Sequence, residues 1–170
     1  MPIHGALEFR SRDCRFGLRI PGELLDQLLE GCAKAAPTET GGVLVGKYSE
    51  DSRMAEVTAV SQRPANSGGA RTSFVRGVKG LLAWLWHLWV RRGGYYLGEW
   101  HSHPHASPVP SDTDTRTMWD IAKSMKARCP EPILLVIGGE EAVGWTYRAE
   151  VFIRDDGRVV LEMDTSCRVV

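Results

Sequence analysis

A single mixed α/β domain is the fold class this sequence predicts, and three observations predict it. Apolar runs of strand character are interleaved with three segments of helical periodicity. No internal repeat or low-complexity tract interrupts them, and 170 residues that are 43% hydrophobic suffice for one sizeable core. The closing segments read as an antiparallel pair. The expected architecture is therefore a mixed, mostly antiparallel β-sheet flanked by three helices. It forms one domain over residues 1–170, with its core at about 15–163 and peripheral tails at both ends.

Taken in order, Phe16 to Ile20 alternates loosely and reads as a strand. Pro21 and Gly22 then introduce Leu24, Leu25, Leu28, Leu29 and Cys32 at helical spacing, an amphipathic first helix. Thr38-Glu39-Thr40-Gly41-Gly42 breaks that pattern. Val43 to Gly46 follows as a short buried strand, with Met54 to Val60 as its hairpin partner. Ser61 to Ser73, rich in turn-forming residues, is expected to be a mobile loop able to act as a lid. Val78 to Val90 carries Leu81, Leu82, Trp84, Leu85, Trp86, Leu88 and Trp89 but is shorter than the ~18 residues of a membrane span. It is expected to be a helix packed on the core, ending near Arg91-Arg92-Gly93-Gly94, where cations and glycine suit a helix C-terminus. Trp84 and Trp86 cannot share one face, which leaves part of this helix for a partner or second subunit. Tyr95 to His101 is the next strand, Asp112 to Ala127 the third helix and Pro132 to Gly138 an apolar strand. Val143 to Arg154 and Arg158 to Met163 flank the turn Asp155-Asp156-Gly157.

Composition narrows the function classes. With 21 basic and 21 acidic residues, no chain-wide field would concentrate the protein on nucleic acid or an anionic membrane. Cys14, Cys32, Cys129 and Cys167 are scattered and form no C-x-x-C pair, so a reduced, cytoplasmic setting is expected. The opening MPIHGALEFRSRD lacks the architecture of an export signal.

The chemistry concentrates in the middle of the chain. In His101-Ser102-His103-Pro104, alternation along an extended strand points both imidazoles to the same side, where they can share one ion. Pro104 disfavours continued pairing, so the ligands are expected at a sheet edge with space for substrate. Ser111 and Asp114, three apart, share the first turn of the third helix. Two histidines, one aspartate and a vacant position are the coordination of a catalytic zinc, whereas a structural zinc has its fourth site filled by protein. Such a centre needs a general base, for which Glu39 beside Gly41-Gly42 is the candidate. Ser111 is the candidate oxyanion donor, a kind of group whose loss costs ~10²–10³-fold in rate. Each fragment alone has a plainer explanation. H-x-H is commonly two polar surface residues, Ser-x-x-Asp a helix cap, and Glu-x-Gly-Gly a turn.

Together, Glu39-x-Gly41-Gly42, His101-x-His103-Pro104 and Pro110-Ser111-x-x-Asp114 resemble the JAMM (MPN-plus, Mov34/PAD-1-type) metalloprotease signature, over roughly residues 15 to 150. The resemblance implies the JAMM/MPN fold with its cytidine-deaminase-like layers. It also implies one zinc ion per chain on His101, His103 and Asp114, Glu39 as acid and base, and Ser111 at the oxyanion. Family members cut the isopeptide or peptide bond after the C-terminal glycine of ubiquitin or a ubiquitin-like protein. The short chain, with Thr72 to Arg76 and Tyr95 to Trp100, looks similar to stand-alone prokaryotic members. Those are often encoded with E1- and E2-like enzymes, including in antiviral operons that conjugate a nucleotidyltransferase. Glu99 departs from the pattern, standing where relatives carry an aromatic residue. It faces the same side as His101, as a supporting partner of the centre or a rival base.

A JAMM peptidase acting on a sulfur-carrier protein and a non-catalytic MPN scaffold are the alternatives. The scaffold is at odds with the presence of all four key polar residues. His105, His87 and His4 lie outside the signature. A zinc nucleobase deaminase would need H-x-E and P-C-x-x-C, and only the reversed pair Cys129-Pro130 is present. By position, Ser61 to Ser73 and Lys126 to Pro132 are expected to clamp an incoming tail.

Overall fold

The computed structural model describes residues 4–71 and 73–164; Met1 to Ile3, Thr72 and residues 165–170, Cys167 among them, lie outside the described residues. Ten strands and three helices appear among the described residues. They run β1 (Leu7–Arg10), β2 (Gly17–Ile20), α1 (Gly22–Ala35), β3 (Gly41–Tyr48), β4 (Ala55–Val60), β5 (Gly68–Ala70), β6 (Ser73–Val75), α2 (Leu81–Arg92), β7 (Tyr95–Pro104), α3 (Asp112–Lys123), β8 (Ile133–Glu140), β9 (Gly144–Ile153) and β10 (Gly157–Met163).

Eight strands close into a barrel in the order β1-β10-β9-β8-β7-β3-β4-β2, and β5 and β6 form a separate hairpin. The sheet is mixed and mostly antiparallel, as expected, with parallel pairing at β2–β4 and β7–β8. It differs from the expected layers in being closed. The element responsible is β1, which pairs with both β10 and β2. The sequence predicts a peripheral tail at residues 7–10, yet Leu7 and Phe9 alternate inward and Phe9 is 1% exposed.

One core fills the interior. All eight barrel strands supply it, joined by the α1 face Leu25, Leu28, Leu29 and Cys32, spaced one helical turn apart. Two further clusters lie on the outer surface. Leu81 and Leu88 of α2 cover Val43 and Val45, and Met118 and Ala122 of α3 cover Leu134, Val136 and Phe152. The tryptophan-rich helix only partly meets its expectation. Trp84 and Leu85 pack on the barrel, but Leu82 and Trp86 are 75% and 68% exposed. Gly93 closes α2 in the left-handed conformation, at φ 61°, as the sequence predicts. Among the described residues, no helix is long and apolar enough to cross a membrane.

A bulge in β7 decides what the barrel shows to solvent. Leu44 faces Gly98 while Val45 faces Tyr96, so Leu97 is an extra residue. Leu97 and Trp100 consequently both enter the core, although three residues apart. Gly98 sits at φ 150°, and a Cβ there would lie 1.9 Å from the Ile133 carbonyl oxygen, so the position accepts only glycine. The parity shift turns Glu99, His101 and His103 outward.

Because β1 closes the barrel through a fully buried aromatic ring, Phe9→Ala should destabilise the protein by about 3–5 kcal/mol in urea unfolding. A loss below about 1 kcal/mol would return β1 to the periphery.

Candidate metal centre

The two histidines lie near the C-terminal end of an interior strand. His101 pairs with Gly41 of β3 and Val136 of β8, and β7 continues through Pro104, which pairs with Gly139. This corrects the expectation of a sheet edge. Parallel pairing carries the strand through the proline, and access comes from the strand end and outer face.

The segment after Pro104 returns the chain to its own strand end. His105 turns at φ 58°, its amide donates to the Gly139 carbonyl oxygen at 3.1 Å, and the Gly139 amide donates to that of Ala106 at 3.0 Å. Gly138 gives this segment room, since a Cβ there would lie 2.5 Å from the Ala106 carbonyl oxygen. His105 itself pairs with Glu140 at 2.9 Å, half exposed and apart from the other two histidines.

The returning chain starts α3 with a capping box. The Ser111 hydroxyl accepts from the Asp114 amide at 3.1 Å, and the Ser111 amide donates to Asp114 Oδ2 at 2.8 Å. The serine hydroxyl also donates to Oδ2 at 2.7 Å. Asp114 Oδ1 is left to His101 Nδ1 at 2.9 Å, with His103 Nε2 3.5 Å from Oδ2. His101, His103 and Asp114 are thus brought together as expected, each less than a tenth exposed.

Both imidazoles contact the Asp114 carboxylate, and among the described residues no group of three or more His, Cys, Asp and Glu is arranged to hold a metal ion. Their chemistry still suits a cation. Two imidazoles and one carboxylate are an N/O donor set that zinc takes, and each ring stands within 3.5 Å of a carboxylate oxygen. Burial by itself would raise the Asp114 pKa, but hydrogen bonds from His101, His103 and Ser111 hold the carboxyl well below the usual range. The bond to Asp114 in turn raises the pKa of His103 against the opposing effect of burial.

Glu39 is delivered by the loop entering β3. The Thr40 amide donates to Ser102 Oγ at 3.0 Å and the Ser102 amide donates to the Thr40 carbonyl oxygen at 2.8 Å, which rivets the loop to the residue between the two histidines. The Glu39 carboxyl is half-buried, and burial raises its pKa. His103 and His101 lower it and Asp114 raises it, and the pairing of Gly41 with His101 brings this loop to the strand of the two histidines. Gly42 serves the core rather than the substrate, as a Cβ would lie 2.5 Å from Ser61 and 2.8 Å from Trp100 Nε1.

Glu99 is turned to other partners. It is 2% exposed, and its oxygens accept from Arg76 Nε at 2.6 Å and the Tyr96 hydroxyl at 2.7 Å. Ser102 and Arg76 are contributors that sequence reasoning missed. The parity of Ser102, opposite to the two histidines, gave no hint of a role. An acid inside an apolar strand did signal that some cation must meet it, without saying which. Of the two segments expected to clamp a tail, 61–73 places Gly69 and Ala70 beside Glu39. The other, 126–132, lies at the opposite end of β7, where Cys129 Sγ donates to the Leu97 carbonyl oxygen at 3.9 Å.

Comparison with known proteins gives concordant results. Residues 21–150 match the family of prokaryotic homologs of the JAB domain. The chain is 40% identical over 153 residues to a CD-NTase/cGAS isopeptidase of Enterobacter hormaechei, covering 90% of this chain and 84% of the relative. It is 32% identical to a probable metalloprotease, y4qB, of Sinorhizobium fredii, covering 72% and 76%. The solution structure of protein DSY2949 from Desulfitobacterium hafniense shares the fold, with a TM-score of 0.61 at 22% identity over 83% of this chain and 87% of that one.

The raised His103 pKa sets the sign of a pH effect. Stability from its bond to Asp114 is complete below the ordinary histidine pKa of about 6.5 and lost as pH climbs through the raised value. Chelator-treated protein should therefore melt lower at about pH 8 than at about pH 6, and Asp114→Asn should flatten that slope. An unchanged slope would refute the coupling.

Proposed function

The chain belongs to the family of prokaryotic homologs of the JAB domain and is a metalloprotease-type hydrolase; from that premise we propose that it is a zinc isopeptidase. Its proposed substrate is a conjugate joined through the C-terminal residue of a CD-NTase or of a ubiquitin-like modifier, within a bacterial conjugation or antiviral pathway. The observation that carries this reading is the convergence of His101, His103 and Asp114 beside the half-buried Glu39 carboxyl. The choice of a CD-NTase rests on the 40% identity to the Enterobacter isopeptidase.

His101, His103 and Asp114 would hold the ion. When bound, zinc supplies Lewis acidity, which lowers the pKa of a water to about 7 and polarises a carbonyl oxygen. Glu39 takes a proton from the attacking water and passes it to the amine nitrogen as the C–N bond breaks, leaving a carboxylate on the modifier. Burial lifts this carboxyl toward the working pH, the direction a proton shuttle needs. Ser111 has two parts in this scheme. Its hydroxyl orients Asp114 at 2.7 Å in the resting arrangement, and it turns to donate to the oxyanion as charge develops. Ser102 holds the strand of the ligands and the loop of the base in one frame.

The two buried cysteines are unsuited to a thiol mechanism. Burial pushes the Cys32 and Cys129 thiols up to about 12, far from the lowered values of nucleophilic thiolates.

A linear or isopeptide-linked CD-NTase conjugate tests the proposal. Cleavage should stop with chelator and survive thiol alkylation. Glu39→Gln should keep zinc and lose about 10²–10⁴-fold in turnover, whereas His103→Ala should lose both metal and turnover. Retained turnover in either variant contradicts the roles. Ser111→Ala should lower stability by about 1 kcal/mol through the lost cap. Beyond that it should lower kcat by about 10²–10³-fold at full zinc content, and wild-type kcat would leave Ser111 a cap alone.

A further inference from the structure

Arg76 belongs to no barrel strand, yet it supplies the cation for the buried acid of β7. Its Nε donates to Glu99 Oε2 at 2.6 Å and its Nη1 to the Gly77 carbonyl oxygen at 3.1 Å. Just before it lies the β5–β6 hairpin, in which Gly68 pairs with Val75 and Ala70 with Ser73. The base of this hairpin is closed by the Gly77 amide donating to Ser67 Oγ at 2.8 Å and the Lys79 amide donating to Asn66 Oδ1 at 2.9 Å.

The far end of the hairpin meets the candidate base. The Glu39 amide donates to the Ala70 carbonyl oxygen at 3.0 Å. Gly69 packs so closely that a Cβ there would lie 2.9 Å from the Glu39 carbonyl oxygen. A closed mechanical circuit results. It runs from His101 along β7 to Glu99, across to Arg76, through the hairpin to Ala70, onto Glu39, and back to β7 through the pairing of Gly41 with His101.

We propose that Arg76 and Glu99 are a positioning pair that seats the β5–β6 hairpin against the barrel and thereby fixes Glu39 relative to the two histidines. The proposal rests on the acid and base role given to Glu39 above. Physical reasoning favours positioning over simple stabilisation. A buried ion pair seldom outperforms apolar residues of similar volume in stability, whereas its directed hydrogen bonds admit one geometry. Here that geometry ties a hairpin outside the barrel to the strand that carries the ligands. Neither residue touches the reacting atoms.

The test compares zinc-loaded wild type with the double variant Arg76→Met/Glu99→Gln, which leaves no orphan charge and lets residue 99 keep its Tyr96 bond. Arg76→Lys, which retains the cation, is the conservative variant. Two readouts are followed, turnover of a CD-NTase conjugate and hydrogen exchange at the Glu39 amide. In the double variant kcat should fall by about 10²-fold at full zinc content, the size expected for a misplaced catalytic group, with KM changed far less. Glu39 exchange should quicken by about tenfold or more while α3 amides keep their protection. Arg76→Lys should recover part of both. Unchanged Glu39 exchange overturns the proposal whatever the turnover, and so does faster exchange at wild-type kcat. Should wild type itself cleave no conjugate, the functional reading fails, and Glu39 exchange alone decides whether the pair holds the hairpin.

Discussion

One buried carboxylate, that of Asp114, is the point on which the rest of this structure depends. It closes the capping box of α3 and accepts from His101 at the same time, with His103 beside it. Those tasks pull in different directions along the chain, because α3 packs on β8 and β9 while the imidazoles belong to β7. The short turn over Gly138 and Gly139 reconciles them. Removing an anion from water is unfavourable unless donors converge on it, and here the helix start and both rings supply the donors.

The other half of the centre arrives by a separate route. Glu39 has no helix to orient it and sits in a loop, the kind of segment ordinarily free to move. Backbone contacts on both sides confine it. Thr40 is riveted to Ser102, between the two histidines, and Glu39 itself is bonded to the tip of the β5–β6 hairpin. Segment 61–73, expected as a mobile lid, thus contributes the strand Gly68–Ala70, whose Ala70 carbonyl oxygen accepts from the Glu39 amide. Catalytic geometry tolerates displacements well under 1 Å, so a loop-borne base needs such bracing.

Outside the centre, α2 presents Leu82, Trp86, Trp89 and Val90 to solvent while its inner face covers β3. Trp89 stacks edge-on against Tyr95 at 5.0 Å. Hydrophobicity all around a helix suggests burial all around it, but a closed barrel offers this helix only one wall.

Much was legible from residues alone. The periodicity of Leu25, Leu28, Leu29 and Cys32 marks α1, the Ser111–Asp114 spacing marks the start of α3, and the alternation of His101 and His103 puts both rings on one side. These are local consequences of helix and strand geometry. The outward direction of that side was not local. It depends on a one-residue bulge at Leu97 and Gly98, set by what β3 and β8 present opposite. Barrel closure through Leu7–Arg10 was equally hidden, since a four-residue strand declares itself only through its partners β2 and β10. The partner of Glu99 was hidden for the same reason. The sequence by itself determined which side chains are the candidates for the chemistry, because their identities and short-range spacing are chemical facts. Only the tertiary structure decided how Glu39, Arg76 and the histidines meet, because those meetings join segments far apart in the chain, and local rules do not act over such separations.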